Sequence, residues 1–235
     1  MRRSAIYTLV VVGLLVGIVT TLIAYYTPWL PEQASEQRER IDLVFWITTA
    51  ICIAIFALVA SVTIYAGWRF RAHPDDDSDG APIHGHTGLE IVWTAVPAVL
   101  VTFIAVISAI VIAQNERTSE GDLEIGVTAQ QFAWSFEYPN GFRSGMLRLP
   151  VDQTVVLRLT ARDVIHSFFV PEFGQKQDAV PGIETSLVIT PTKVGRYALA
   201  CYELCGVGHA LMRTAVQVME QEAYDAWADR TTEAN

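Results

Sequence analysis

Four residues with metal-binding side chains lie within twelve positions near the C-terminus of this 235-residue chain. Cys201 and Cys205 carry thiols, His209 carries an imidazole and Met212 carries a thioether. Soft sulfur ligands together with imidazole favour copper, with zinc and iron–sulfur clusters as the next choices. A mononuclear blue-copper site needs one cysteine and normally two histidines, whereas this segment has two cysteines and one histidine.

A second imidazole, His166, precedes the cysteine pair by 35 positions. Two thiolates can bridge two metal ions, with one histidine on each ion and Met212 as a weak ligand of one of them. This arrangement uses every donor in the loop. The donor set therefore predicts a dinuclear copper site.

Other interpretations of the same residues stay open. The cysteine pair could form a disulfide or simply be small and buried, and His166 could be an ordinary core histidine. Zinc is a further option, since sites with two cysteines and two histidines are common, but there a histidine pair usually follows the cysteine pair. The third cysteine of the chain, Cys52, lies in an apolar run, and we expect it to be buried and inert.

Three long apolar runs occupy the N-terminal half of the chain, at 6–26, 41–65 and 89–113. Each run reaches the roughly 20 residues that span a bilayer as a helix. The remainder, from about residue 114, is polar and alternating, so we expect a membrane anchor followed by one soluble domain. The predicted divisions are an N-terminal hydrophobic segment (transmembrane helix or signal) at 1–30, a transmembrane helical hairpin at 31–115, a β-domain at 116–219, and a C-terminal helix and tail at 220–235.

Positive charge near the ends of the runs predicts their orientation, because it marks the cytoplasmic side. Arg2 and Arg3 precede the first run, and Arg69 and Arg71 follow the second, so both clusters fall on the same side of a three-span protein. The chain is then a multi-pass protein of the plasma membrane with its soluble domain on the extracytoplasmic side. The first run could instead be a cleaved signal peptide, which would leave the soluble domain on that same side.

The soluble region has the pattern of short strands separated by turns such as Pro139-Asn140-Gly141. Strands are predicted at 123–128, 132–138, 154–160, 186–190, 195–201 and 215–219. Many short strands at this spacing predict an all-β sandwich with Greek-key connections. The cysteine loop would join the last two strands, with His166 brought alongside from another strand end. Residues 220–230 are predicted to form an amphipathic helix with Tyr224 and Trp227 on one face.

Four stretches of the sequence together resemble subunit II of cytochrome c oxidase, in the haem–copper oxidase family. They are the loop 201–212, Asp163-Val-Ile-His166-Ser-Phe, Lys176-Gln-Asp178-Ala-Val-Pro181-Gly182, and Leu89-Glu90-Ile-Val-Trp93-Thr-Ala-Val-Pro97 at the start of the third run. The resemblance covers nearly the whole chain from the second run onward, and the loop is its most specific part. It implies a membrane-anchored fold of a transmembrane helical hairpin followed by a cupredoxin-like Greek-key β-sandwich.

The resemblance implies a dinuclear copper centre, called copper A, in which the two cysteines bridge two copper ions. Its ligands would be the side chains of His166, Cys201, Cys205, His209 and Met212 and the backbone carbonyl of Glu203. The Glu203 carboxylate would also help to bind magnesium at the border with subunit I. The chain would accept single electrons from cytochrome c or a similar donor and pass them to haem in subunit I, where oxygen is reduced and protons are pumped.

Further roles are implied by the resemblance. Glu90 would stand at the mouth of a proton-uptake path into subunit I. Phe132 and Trp134 belong to the segment that receives electrons, although the family usually has tryptophan in place of Phe132 and tyrosine in place of Ala133. Ile183 stands where many relatives have arginine. These departures leave the identity of the electron donor open.

The charge of the soluble region favours a basic partner. From residue 114 onward there are 16 acidic and 10 basic residues, and an acidic surface attracts a basic protein. Glu137 and Asp163 lie near the predicted ligands, so we expect them to contribute to donor docking. The chain has no Cys-x-x-Cys-His motif for c-type haem, which predicts a separate donor, and no pattern indicates nucleic-acid binding.

Two other functions use the same residues. The copper A subunit of a nitric oxide reductase could feed a different catalytic subunit, although Glu90 and its neighbours favour the oxidase. A membrane-tethered copper carrier would need an open, exchangeable site, whereas six donors around two ions indicate a fixed centre. A copper-free quinol oxidase subunit would lack these ligands.

Overall fold

The computed structural model describes residues 3–71, 79–80 and 82–233. Arg2, one of the charges used to predict orientation, and the last two residues of the predicted tail lie outside this part. The chain divides into two compact units, Met1–Leu30 with Leu43–Ser108 and Pro31–Asp42 with Ala109–Asn235. The four-part division predicted from the sequence stays a prediction.

Long apolar helices build the first unit. They are α1 (Arg3–Tyr26), α2 (Glu36–Arg69) and α3 (Thr87–Asn115), and each is long and apolar enough to cross a membrane. Small residues allow α1 and α2 to approach closely, since a Cβ atom built on Gly13 would lie 3.6 Å from the Cβ of Ser61. The predicted membrane-anchored architecture is confirmed. Whether α1 is retained or cleaved stays a prediction.

Cys52 lies on α2, and the prediction that it is buried is wrong. Its side chain is exposed on the helix surface. An apolar run in a soluble protein indicates burial within the protein, but a membrane helix can turn apolar side chains toward lipid instead. Apolar sequence alone therefore did not determine the burial of Cys52.

In the described part of the chain, ten strands form two five-stranded sheets in the second unit. The strands are β1 (Leu123–Gln130), β2 (Ala133–Glu137), β3 (Arg143–Ser144), β4 (Leu147–Pro150), β5 (Val155–Ala161), β6 (His166–Phe169), β7 (Lys176–Ala179), β8 (Thr185–Ile189), β9 (Gly195–Cys201) and β10 (Arg213–Met219). The sheet orders are β3-β2-β1-β5-β8 and β4-β10-β9-β6-β7. Neighbours distant in sequence, such as β1 with β5 and β6 with β9, give the predicted Greek-key sandwich.

The core of this unit lies between the two sheets and follows from the alternation of apolar residues along the strands. Ile125 and Val127 of β1, and Val216 and Val218 of β10, are at most 1% exposed. Because side chains of a strand alternate between its faces, every second residue enters the core. This packing holds the strand ends that carry the candidate site in fixed positions.

A helix follows the last strand, as predicted. It is α4 (Gln221–Glu233), and its aromatic face packs on the sandwich. The rings of Trp227 and Tyr138 lie 4.8 Å apart, and Phe142 lies 5.8 Å from Trp227. Tyr224 is buried in the same cluster.

Residues 31–42, which we call the N-terminal strap, comprise the link after α1 and the first residues of α2, and they belong to the second unit. Ala34 is fully buried there. The hydroxyl of Ser35 donates a hydrogen bond to the carbonyl of Phe173 (2.9 Å), and the side-chain carbonyl of Gln37 accepts one from the backbone N–H of Thr190 (2.9 Å). A fragment that began near residue 114 would lack the strap and lose these buried contacts, whereas the full chain keeps them.

Candidate metal centre

The predicted metal ligands come from one strand end and one loop of the same sheet. His166 is the first residue of β6, Cys201 is the last residue of β9, and Met212 directly precedes β10. Cys205 and His209 lie in the loop between β9 and β10, which we call the metal loop (201–212). Because β6 and β9 are antiparallel neighbours, the start of β6 lies beside this loop.

Two thiols lie at the centre of the group. The Sγ atoms of Cys201 and Cys205 are 3.9 Å apart. The Nδ1 atom of His166 lies 3.8 Å from Cys201 Sγ, and that of His209 lies 3.7 Å from Cys205 Sγ. The Sδ atom of Met212 is 3.9 Å from Cys205 Sγ. Two sulfur atoms bound to one metal ion at about 2.3 Å are at most about 4.6 Å apart, so each of these pairs could share an ion.

Both cysteines are free thiols in the structure. A disulfide would require its two sulfur atoms to lie about 2.05 Å apart, far closer than those of Cys201 and Cys205. The thiols face two imidazoles and a thioether, which is a set of metal donors. The disulfide and packing interpretations therefore fit the site less well than metal binding does.

Glu203 presents a second type of donor. Its backbone carbonyl oxygen lies 3.2 Å from Cys201 Sγ, whereas the residue as a whole is exposed. The carbonyl therefore faces the thiols, and the carboxylate stays free for a harder ion, which oxygen ligands suit. The magnesium role of this carboxylate stays a prediction.

Burial favours the protonated form of the Cys205 thiol. His166 and Met212 are fully buried, and Cys201 and Cys205 are 5% and 3% exposed. Burial, followed by the hydrogen bond and charge of Cys201, raises the pKa of Cys205 to about 11. A metal ion must therefore displace a proton from this thiol when it binds.

Asp163 orients His166 by contacting Nε2, the ring nitrogen that does not face the thiols. Sequence reasoning missed this role. Its Oδ1 atom lies 2.8 Å from His166 Nε2, and its Oδ2 atom accepts a hydrogen bond from the backbone N–H of Gln131 (2.7 Å). Burial alone would raise the pKa of Asp163, but hydrogen bonds from Gln131, His166 and Val164 outweigh it and lower the pKa to about 2. The contact holds Nδ1 of His166 toward the thiols, as carboxylate partners of metal-binding histidines do. The spacing of three residues between Asp163 and His166 was the available signal.

Two aromatic side chains of the predicted electron-receiving segment lie beside the site. Trp134 is 5% exposed, and its ring lies 6.3 Å from that of His166 and 5.8 Å from that of Phe168. Phe132 is 37% exposed and covers Gly208, where a Cβ atom would lie 2.5 Å from the Phe132 ring. Only glycine therefore allows the metal loop to lie this close to Phe132.

The remaining predicted residues lie elsewhere. Glu137 ends β2, and its carboxylate is 2.8 Å from the guanidinium of Arg143, with both side chains largely exposed. Glu90 belongs to the first unit, in the first turn of α3, where its Oε1 atom accepts a hydrogen bond from the backbone N–H of His86 (3.0 Å). The docking role of Glu137 and Asp163 and the proton-path role of Glu90 stay predictions.

The metal loop itself carries an exposed apolar surface. We call it the apolar rim, and it consists of Tyr202, Leu204, Val207 and Leu211, which are all exposed. Large exposed apolar patches with polar borders are typical of surfaces that contact other proteins. The rim is therefore a candidate surface for contact with another protein.

Both parts of the chain match family models. The model for the periplasmic domain of cytochrome c oxidase subunit II matches residues 143–219, and that for its transmembrane domain matches residues 24–111. The cytochrome c oxidase subunit 2 of Thermostichus vulcanus is 36% identical over 90% of this chain and 82% of its own length. That of a Synechocystis strain is 32% identical over 92% of this chain and 81% of its own length.

Solved structures of similar proteins include the periplasmic domain of subunit II of cytochrome oxidase (CoxB) from Bradyrhizobium japonicum. It is 31% identical with a TM-score of 0.47, covering 50% of this chain and 99% of that chain. A chain of a haem–copper terminal oxidase dimer is 24% identical with a TM-score of 0.40, covering 54% of this chain and 97% of its own.

Proposed function

Because this chain belongs to the cytochrome c oxidase subunit II family, we propose that it carries a dinuclear copper A centre and transfers single electrons. The chain is a subunit of a haem–copper oxidase and a membrane protein. It accepts electrons from cytochrome c or a similar donor and passes them to haem in subunit I. Reduction of oxygen to water and proton pumping take place in that partner.

The observation that carries this proposal is the pair of buried thiols, 3.9 Å apart, each with its own imidazole within 3.8 Å. Cys201 and Cys205 would bridge two copper ions, and His166 and His209 would each bind one. Met212 and the carbonyl of Glu203 would complete the set. The bound ions would supply a one-electron redox centre, and the strands β6, β9 and β10 hold the donors so that they move little when the charge changes.

Met212 favours copper over zinc. Its thioether is fully buried, with Sδ 3.9 Å from Cys205 Sγ. Zinc sites use cysteine, histidine and carboxylate, whereas a weak axial methionine is typical of copper electron-transfer sites. Burial of His166, Cys201, Cys205 and Met212 also disfavours a membrane-tethered copper carrier, because a carrier would need an exchangeable site.

The surroundings of the centre support contacts with other proteins. The apolar rim suits a subunit of the oxidase, and the exposed carboxylate of Glu203 would bind magnesium at the border with subunit I. Electrons would enter through the segment that holds Phe132 and Trp134, and the carboxylates of Glu137 and Asp163 would contribute to docking of the donor. The departure at Phe132 affects the choice of donor, since the exposed ring is not the usual tryptophan.

We also propose that the second unit lies on the extracytoplasmic side of the plasma membrane. Arg3 begins α1, and Arg69 ends α2 with Arg71 two residues later. The positive-inside rule places these ends in the cytoplasm. The matching family model for this unit describes a periplasmic domain, which agrees with that orientation.

Spectroscopy of the full chain tests the proposal. The protein is purified in detergent, loaded with copper and examined by electron paramagnetic resonance. A seven-line pattern is expected, because an unpaired electron shared by two equivalent copper nuclei couples to both. A four-line pattern, or no copper signal, would point to a mononuclear, zinc or disulfide site and contradict the proposal.

Replacing Met212 should change the potential more than the copper content. In Met212→Leu we expect two copper ions per chain but a higher reduction potential, because only a weak ligand is lost. The expected shift is on the order of 60 mV, which corresponds to a tenfold change in a one-electron equilibrium. Redox titration of the copper absorption measures it, and Met219→Leu is the matched control, since Met219 packs against the core. An unchanged potential would show that Met212 is not a ligand.

Replacing Glu90 should affect proton delivery alone. In Glu90→Gln we expect oxygen reduction by the assembled oxidase to slow several-fold with an unchanged copper spectrum, because an ionisable group at the path mouth is lost. The amide oxygen can still accept the hydrogen bond from His86, so the start of α3 is kept. Turnover is measured across pH, with the exposed Glu120→Gln as control. If Glu90→Gln kept wild-type turnover at every pH, Glu90 would have no role in proton uptake.

A further inference from the structure

We infer that Gln131 is a positioning residue of the copper centre, an inference that rests on the proposed function. Gln131 lies in the turn between β1 and β2, in the sheet that does not carry the metal ligands. It contacts the site through two groups, its side-chain amide and its backbone N–H. The amide contacts the backbone of Cys205, and the backbone N–H contacts the carboxylate of Asp163, which in turn contacts His166.

The side-chain amide holds the metal loop. Its Nε2 atom donates a hydrogen bond to the carbonyl oxygen of Cys205 at 2.6 Å. A Cβ atom built on the next residue, Gly206, would lie 2.8 Å from this same nitrogen. Gly206 also has a φ of +135°, which side-chain-bearing residues rarely adopt. The peptide that follows Cys205 therefore packs directly against the Gln131 side chain. The position of this peptide helps to determine where Cys205 Sγ lies.

The backbone N–H holds the other ligand. It donates to Oδ2 of Asp163 at 2.7 Å, while Oδ1 of the same carboxylate lies 2.8 Å from Nε2 of His166. One carboxylate thus connects Gln131 to the imidazole that faces Cys201. Gln131 joins two ligands whose loops are far apart in the sequence, and it does so from the opposite sheet.

Substitution of Gln131 can remove the side-chain contact while keeping the backbone contact. Gln131→Met keeps the length of the side chain but removes the donor, and Gln131→Glu keeps its shape but turns an acceptor oxygen toward the Cys205 carbonyl. Both variants keep the backbone N–H and therefore the contact with Asp163. Loss of a partner of this kind typically costs about 10–100-fold in metal affinity. We expect that loss of copper affinity in both variants, together with a changed hyperfine splitting and potential.

The experiment is a copper titration of the full chain in detergent, in competition with a chelator, with paramagnetic resonance spectra and a redox titration of each copper-loaded protein. Gln130→Met is the matched control, because the side chain of Gln130 is an exposed neighbour that accepts a hydrogen bond from Arg162 (3.3 Å). The control should keep wild-type affinity and spectrum. Circular dichroism of the copper-free proteins checks that each variant is folded. If Gln131→Met does not fold, the result for Gln131→Glu tests the inference.

The outcomes distinguish this inference from the proposed function. A wild-type chain that fails to give the dinuclear spectrum overturns the proposed function. A wild-type chain with that spectrum, and folded Gln131 variants whose affinity lies within about twofold of the control with unchanged spectrum and potential, overturns the role of Gln131 alone. A purely structural role would change folding without moving the spectrum or the potential of the folded, loaded protein.

Discussion

Replacing either central thiol, in Cys201→Ser or Cys205→Ser, is expected to abolish the mixed-valence copper spectrum completely. A serine hydroxyl stays protonated where a thiol can ionise, and it is a poor ligand for copper compared with soft thiolate. One remaining thiolate cannot form the pair of bridges that the 3.9 Å separation of the sulfur atoms allows. Copper content and the paramagnetic resonance spectrum of the full chain measure the effect.

Cys52→Ser is the control for these two variants. Cys52 lies on α2 in the other compact unit, and its replacement should leave the seven-line pattern unchanged. If Cys201→Ser or Cys205→Ser kept that pattern in full, the bridging assignment would be overturned. A change from seven lines to four would instead show that a single copper ion can still bind.

Replacing Arg38 in the N-terminal strap should destabilise the β-domain strongly. Its Nε atom lies 2.7 Å from Oδ1 of Asp42, and both side chains are at most 7% exposed. The two groups are close but not aligned as a hydrogen bond, so charge dominates the contact. In Arg38→Ala the Asp42 carboxylate stays buried without its cation, which typically costs about 3–5 kcal/mol of unfolding free energy. Denaturant unfolding of the copper-free full chain measures this, with the protein fluorescence as probe.

A double variant tests the physical reason. Arg38→Met with Asp42→Leu removes both buried charges, and such replacements are often neutral or stabilising, so most of the stability should return. Lys193→Ala is the control, because Lys193 pairs with Glu32 of the strap at 2.7 Å on the surface, where ion pairs contribute little. If Arg38→Ala unfolded like the wild type, the strap would not be part of the folded domain.

The chemistry of the site could be predicted because its residues are close together in the sequence. Cys201, Cys205, His209 and Met212 lie in one loop, so their types and spacing indicate a common metal site before any fold is known. The membrane helices were predictable for a similar reason, since length and apolarity are local properties. Six of the ten strands were long enough to show alternation, whereas β3, β4, β6 and β7 have two to four residues each, too few for that pattern to stand out.

By itself, then, the sequence predicted a metal-binding loop, the membrane anchor and the sandwich, because each of these depends on residue type and short-range pattern. The tertiary structure decided which polar groups support the donors. Gln131 and Cys205 are 74 positions apart, and Ser35 and Phe173 are 138 apart. No local sequence pattern indicates such pairs. Their members come into contact only when the two sheets pack face to face and the strap packs against the sandwich.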